Sequence, residues 1–153
     1  MDTMEKGEVN IRRMARSDID SVLAIDRKIS GGEGLITHRD MVAADPGGSL
    51  DLSFVAEVGG QVVGFILARL MYVGVPFTEI AVIQAIVVDP DYQRRGIASR
   101  LVHALLGHCH TEGVRVNTIR AILDEGDTRL RRFFERLGFH RSELINYTRT
   151  FES

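Results

Sequence analysis

Tryptophan is absent from this chain, cysteine occurs once, proline three times, and only two of the basic residues, Lys6 and Lys28, are lysines. The lone Cys109 excludes an intrachain disulfide framework, and with it a small stapled extracellular scaffold. The most apolar stretch, residues 62–75, is interrupted by Arg69 and is too short to cross a bilayer. The opening residues carry Asp2 and Glu5 and lack the apolar core of a signal peptide, so a cytoplasmic location is expected. A basic excess is also missing: a net charge of −2 argues against a general nucleic-acid binder. No lysine follows the glycine loop as a Walker loop needs, and no G-x-G-x-x-G opens a dinucleotide fold.

What is present is ordinary in bulk. The 153 residues, 44% hydrophobic and 26% charged, suit one globular domain covering residues 1–153, without repeats, low-complexity tracts or linkers. Residues 9–14 alternate weakly and predict a strand. Ser17, with Asp20 three residues on, resembles a helix start, and that helix should end at Ser30-Gly31-Gly32. A second helix is expected over residues 37–44, closed by Asp45-Pro46-Gly47-Gly48. Residues 52–58 and 61–72 predict two strands joined through Gly59-Gly60, because a tight primed turn needs positive φ. Residues 79–88 are apolar on both faces apart from the ends and Gln84, which places them centrally in a sheet. An amphipathic helix follows over residues 96–112, then a strand over 114–123, a helix capped by Asp127 and stopped by Gly138, and one or two closing strands within 139–151. The order predicts a mixed α/β fold, a central, mostly antiparallel sheet of six or seven strands with about four helices around it.

The chemistry concentrates where the apolar strand stops at Asp89-Pro90 and a short loop delivers Gly96 to a helix. A helix's first turn has N–H groups without intrahelical partners and the positive end of the helix dipole, favouring an anion by roughly 0.3–1 kcal/mol at an exposed site. Gly96 and Ala98 keep side chains clear of it, and Arg94 and Arg95 add permanent charge. Gln93-Arg94-Arg95-Gly96-Ile97-Ala98 reads as Q/R-x-x-G-x-G/A, which, with the strand before it, resembles the acyl-CoA site of the GNAT superfamily of N-acyltransferases. Residues 127–139, from Asp127 to Gly138-Phe139, are similar to that superfamily's N-x-x-A-x-x-x-Y-x-x-x-G-F helix.

The resemblance implies an N-acetyltransferase that carries an acetyl group from acetyl-CoA, or another acyl-CoA, to a primary amine by direct attack in a ternary complex, without a metal. It implies that main-chain groups of Ile86, Val87 and Val88 hold the pantetheine arm, provided the neighbouring strand splays away. Arg94, Arg95, Gly96, Ile97, Ala98 and Ser99 would surround the diphosphate, with Asp127 near the cofactor. The acceptor would be a small-molecule amine or a protein or peptide amine, with no nucleic acid and no membrane involved. Homodimers are common among such proteins.

The attacking amine must be neutral. At neutral pH that costs a lysine side chain about 4–5 kcal/mol and an α-amine only about 1. Glu79, opening the central strand, and Glu33, between Gly32 and Gly34 in a loop that often lines the acceptor site of the superfamily, are the candidate catalytic carboxylates. Gln84 is either a satisfied core amide or a hydrogen-bond partner of the acceptor. Phe134 stands where the superfamily commonly has the tyrosine that protonates the leaving thiolate. That leaves Tyr72, Tyr147 or water to give the proton, or an unassisted departure that a thiol pKa of about 8.5 tolerates. Both tyrosines are also candidates for acceptor contacts, although plain sheet positions would explain them equally. A non-catalytic acyl-CoA-binding sensor is the alternative. His103, His108 and His110 are not three or four apart, so no metal site is expected around Cys109. Arg129, Arg131, Arg132 and Arg136 suggest mainly a solvated helix face, with contact to the CoA 3′-phosphate as the other reading.

Overall fold

The computed structural model describes residues 7–111 and 116–152. Strand β1, Val9–Arg13, pairs antiparallel with β2, Phe54–Val58. A 3-10 turn at Arg16–Asp18 leads from β1 into α1, Ile19–Ser30. The turn is held by Asp18 rather than by the predicted Ser17 cap. Its buried carboxylate accepts from the Ala15 N–H at 2.7 Å and from both terminal nitrogens of Arg12, at 2.9 and 2.8 Å. Arg12 Nε also reaches Glu57 at 3.2 Å, so one guanidinium ties β1, the turn and β2 together, which a serine hydroxyl could not do. The short helix α2, His38–Ala44, begins with a reciprocal Thr37–Asp40 cap and ends at Asp45 in the left-handed region.

Gly59 and Gly60, at φ 58° and 81°, make the tight turn from β2 into β3, Gln61–Val73. Strand β4, Thr78–Val88, returns antiparallel to β3, and the three-residue β5, Ile119–Ala121, runs parallel to β4. The five strands lie in the order of the chain, β1 to β5. Helix α3, Ile97–Thr111, connects β4 to β5 and packs across the sheet, burying Ile97, Leu101, Val102, Leu105 and Cys109 at helical spacing. On the other face Val22, Leu23 and Ile25 of α1 and Met41 of α2 meet Val55, Phe65 and Leu67 of the sheet. Each such aliphatic contributes about 1.5–3 kcal/mol by leaving water, so the two clusters dominate the fold's stability.

Contacts divide the chain into two compact units, residues 1–122 and residues 123–153. The second holds α4, Thr128–Arg136, begun by Asp127, whose Oδ1 accepts from the Leu130 N–H at 3.0 Å, and followed by Gly138 at φ 93°. Within it Phe134 is buried, edge-on to Phe133 and Phe139 with ring centres 5.1 Å away in each case.

The mixed α/β class agrees with the sequence, but five strands form among the described residues where six or seven were expected. Residues 139–151 hold none. The alternation of Ile145, Tyr147 and Phe151 is suited to a strand, yet all three are exposed, and a strand without a paired edge and a buried face is not stable in water. The expected strand over 114–123 shrinks to β5, and its first two residues, like the expected helix end at 112–113, lie outside the described residues.

The Arg12–Asp18 contact generates a pH signature. The bidentate hydrogen bond from Arg12 outweighs burial and holds the Asp18 carboxyl below its ordinary value. A depressed carboxyl adds stability above the unfolded-state pKa and loses it as pH falls through the folded one. Asp18→Asn should therefore cost about 1.5–3 kcal/mol near neutrality, the range for charge-assisted hydrogen bonds, in urea unfolding. The gap from wild type should begin to narrow as pH falls below about 4 and close only below the depressed folded-state value; a gap independent of pH would show that Asn disturbs packing instead.

Candidate functional site

Strand β4 is satisfied unequally on its two sides. Toward β3 the pairing runs from Thr78 to Val88, broken by one irregularity at which Ala85 faces Leu67 and Ile83 faces Ala68. Gln84 is left over. It forms a bulge and its side chain is exposed, so the core-amide reading of Gln84 fails: the extra residue turns the amide out of the apolar run. Toward β5 the pairing covers, among the described residues, only Ala81, Val82 and Ile83.

Beyond the bulge the Asp89 N–H donates to the Val63 carbonyl at 2.8 Å, which fixes the alternation. Val87 shares that edge and pairs with Phe65, whereas Ile86 and Val88 turn their main-chain groups away from β3. The Val88 carbonyl accepts from Gln93 Nε2 at 3.1 Å. Both polar groups of Ile86 and the Val88 N–H have no protein partner among the described residues. An open edge of this kind can receive an extended chain bearing amides, as in strand addition. Of the three residues expected to offer main-chain groups, Ile86 and Val88 offer them and Val87 is committed to β3.

The loop after β4 is built on Asp89. Its carbonyl accepts from the Tyr92 N–H at 2.8 Å and its carboxylate accepts from the Asp91 N–H at 2.9 Å, which closes the 3-10 turn Pro90–Tyr92. Lys28 Nζ, from α1, bonds Asp89 at 2.9 Å and Asp91 at 2.8 Å. Burial pushes the Asp89 carboxyl up, but the Lys28 ammonium and the Asp91 N–H together hold it below its ordinary value. The Lys28 ammonium is in turn raised by Asp91 and Asp89. Arg94 then takes φ 67° and Gly96 φ 74°. A left-handed arginine is strained, and the exposed loop is retained only because both ends are fixed.

Ile97 anchors the far end. It is buried against β3: a Cβ on Gly64 would lie 3.2 Å from the Val87 carbonyl oxygen and 3.4 Å from Ile97 Cγ2, so the bare backbone at Gly64 eases the close approach of β4 and leaves Ile97 in ordinary contact. The first intrahelical bond runs from the Arg100 N–H to the Gly96 carbonyl at 3.1 Å. The N–H groups of Gly96, Ile97, Ala98 and Ser99 therefore lack partners among the described residues, and nothing lies within 4 Å of a Cβ built on Gly96. Arg94 and Arg95 are exposed, Arg95 lying 5.1 Å over the Tyr92 ring. Free N–H groups, a helix dipole and two guanidiniums form a cradle that fits a diphosphate.

The remaining candidates spread out. Glu79, half buried, faces Tyr72 across β3 and β4, so the structure does bring these two together. At about 3.3 Å per residue they stand roughly 17 Å along β4 from the bulge. Glu33 is exposed in the loop after α1. That loop is better fixed than its glycines suggest: the buried Asp26 accepts from the Ile36 N–H at 2.7 Å, and a Cβ on Gly34, which has φ 87°, would lie 2.5 Å from Asp26 Oδ2. Asp127 caps α4 and Tyr147 is exposed, both in the second unit. Cys109 is buried, and burial raises its thiol above the ordinary value, which suits packing rather than nucleophilic work. Among the described residues no cluster of three His, Cys, Asp or Glu side chains is placed to hold a metal ion, and no helix is long and apolar enough to cross a membrane. A shallow groove of about 600 Å³ lies along the C-terminal half of α3, but its arginines, Arg12 and Arg13, already serve Asp18, Glu57 and Asp51.

Sequence reasoning missed Lys28, Asp26 and Gly64. Their roles depend on partners far along the chain, and only the rarity of lysine hinted at one of them.

The model of the acetyltransferase (GNAT) family matches residues 24–139. A protein of Methanocaldococcus jannaschii described as the uncharacterized N-acetyltransferase MJ1207 is 31% identical over 94 residues, which cover 60% of this chain and 40% of that protein. The match thus spans about two fifths of the length of this curated relative. Among solved structures, the aminoglycoside N-acetyltransferase AAC(6′)-Iy in complex with CoA superposes with a TM-score of 0.76 at 19% identity, covering 94% of this chain and 95% of that one. The ribosomal-protein-S18-alanine N-acetyltransferase of Escherichia coli superposes with a TM-score of 0.72 at 20% identity, over 88% and 79%. At these identities the structural likeness concerns the fold.

Gly34 offers a direct check on the loop. Gly34→Ala should cost about 1–3 kcal/mol in urea unfolding, because it adds both a left-handed strain and a clash with Asp26. The Ile36 amide should exchange faster with solvent; unchanged exchange would mean the loop does not rest on Asp26.

Proposed function

The chain belongs to the acetyltransferase (GNAT) family, and from that premise we propose that it transfers an acetyl group from acetyl-CoA to a primary amine by direct attack in a ternary complex. One arrangement supports the cofactor half of this reading: the open edge at Ile86 and Val88 is followed, after the short loop at residues 89–95, by the partnerless N–H groups of Gly96, Ile97, Ala98 and Ser99. The edge would hold the pantetheine amides, and the helix start, with Arg94 and Arg95, the diphosphate. The thioester supplies an activated acetyl group with a stable leaving thiolate.

The protein's own part is binding, orientation and the handling of one proton. Glu79 stands five residues along β4 from Gln84 and Glu33 sits in an exposed loop, so on this reading a proton from an amine near Gln84 would reach Glu79 through water. Phe134, packed among aromatic rings, has no proton to give. Both features favour an acceptor that is easily deprotonated, an α-amine of a peptide or small molecule, over a lysine side chain. Similar folds include enzymes named for aminoglycosides and others named for the alanine of a ribosomal protein, so both small and protein acceptors are compatible with the architecture.

Calorimetric titration with acetyl-CoA tests the cofactor half. Wild type should bind, and Gly96→Glu, which places a carboxylate among the free N–H groups, should weaken binding by more than about 100-fold, since charge is reversed in an anion site. Absence of binding by wild type would remove the reading. Thiol release on an amine panel tests the rest: kcat/KM should rise with pH and level off at the α-amine pKa, about 7.7–8. A preference for lysine side chains would overturn the acceptor assignment. The burial of Phe134 also favours a second reading, an acyl-CoA-binding regulatory module, which tight binding without turnover across that panel would support.

A further inference from the structure

The last turns of α1 carry two side chains that reach different loops. Asp26 and Lys28 are two residues apart, about 200° around the helix, and so point to opposite flanks. Asp26 Oδ2 accepts from the Ile36 N–H at 2.7 Å and closes the loop over residues 31–36. Lys28 Nζ bonds Asp89 Oδ1 at 2.9 Å and Asp91 Oδ2 at 2.8 Å, closing the turn from which Arg94 and Gly96 are hung. The helix is itself locked between these ties: Ser30 Oγ donates to the Asp26 carbonyl at 2.7 Å, and the Gly31 N–H returns to the Arg27 carbonyl at 3.0 Å.

Asp89 is no ordinary surface partner. It is 5% exposed, and its N–H is bonded to Val63, its carbonyl to Tyr92 and its carboxylate to Asp91, so Lys28 grips a rigid extension of β4 rather than a free side chain. The surface pair with Asp91 alone would carry little, because two exposed ions give up their freedom for a screened attraction. The contact with the buried Asp89 gives the tie its stiffness: without the ammonium, that carboxylate keeps only the Asp91 N–H.

We propose that Lys28 is a positioning residue that couples the loop at residues 89–96 to the loop at residues 31–36 through the end of α1, so that an occupied diphosphate cradle steadies the neighbouring loop. The inference rests on reading residues 93–99 as the acyl-CoA diphosphate site. Coupling of this kind is reciprocal: whatever orders residues 31–36, an acceptor amine included, tightens the hold on the cofactor by the same factor.

The test is amide hydrogen exchange of Ile36 by NMR, in the full chain, with and without saturating CoA. CoA occupancy is checked by calorimetry and folding by the thermal midpoint. In wild type CoA should slow Ile36 exchange by about fivefold or more, the lower end of ordinary coupling. Lys28→Met should still fold and bind CoA, but the slowing should vanish; Lys28→Arg should restore most of it. Asp91→Asn, which leaves the Asp89 contact, should keep most of the slowing, and its loss there would overturn the assignment of the tie to Asp89; if Lys28→Met unfolds, Lys28→Gln takes its place. Bound CoA that leaves Ile36 exchange unchanged in wild type would overturn the coupling, as would slowing of equal size in Lys28→Met. Failure of wild type to bind CoA would instead overturn the cofactor reading, and the coupling with it.

Discussion

The hydrogen-bonding demand of one strand edge organises this molecule. Buried or half-buried main-chain groups must find partners, and β4 finds them toward β3 on both sides of the Gln84 bulge but, among the described residues, for only three residues toward β5. The bulge at Gln84 falls directly after the last β5 partner, Ile83, and a bulge adds local twist where two strands part. What remains beyond it is a short edge with the Ile86 groups and the Val88 N–H unanswered. An unpaired edge is ordinarily a liability for self-association. Here it is brief, and Gln93 covers one of its carbonyls. The sheet therefore leaves room for a guest of limited length, with amides to offer.

The second set of unanswered groups, at the start of α3, is placed by packing. Ile97 is buried, in ordinary contact with the space over Gly64, and so ties the helix N-terminus to the sheet. The loop between them holds Arg94 in a conformation that costs of order 1–3 kcal/mol. Burying an isoleucine offsets about as much, roughly 1.5–3 kcal/mol, and the Asp89 turn secures the other end. The strain is thus confined between two anchors. The two arginines and the bare N–H groups are held facing solvent rather than collapsing onto the protein.

The unit from β4 to α3 was legible because its signals are local. An apolar run, an Asp-Pro stop, arginines and a glycine in sequence order already describe a strand, a turn and a helix start, and the Gly59-Gly60 hairpin was legible in the same way. Features that depend on a distant partner were not. Gln84 in an apolar run is compatible with a core amide or an outward one, and only the register with Leu67 and Ala68 decides. Lys28 and Asp89 are 61 residues apart, and nothing near either one announces the other. Gly34 suggested mobility, whereas its missing side chain is needed for the approach of Asp26, which is invisible without the fold. Asp18 displaced Ser17 as the organiser of the first turn because Arg12 was in reach. The strand pattern at residues 139–151 was legible but insufficient, since alternation describes a strand's faces and not its partner.

The proton economy follows from the same geometry. Phe134 lies edge-on to two rings, and a hydroxyl in that apolar surrounding would need a partner of its own. On the proposed reading the leaving group is a thiolate of pKa about 8.5, which departs tolerably without an acid. The unmet demand is then on the attacking amine. Deprotonating a lysine costs about 3–4 kcal/mol more than deprotonating an α-amine, a difference of two to three orders of magnitude in the reactive fraction at neutral pH. A site with a carboxylate adjacent to the amine could erase that difference. One whose carboxylates are reached only through water leaves it largely standing. On that reading the discrimination between amine classes would arise as much from the separation of Glu79 from the bulge as from contacts to the acceptor.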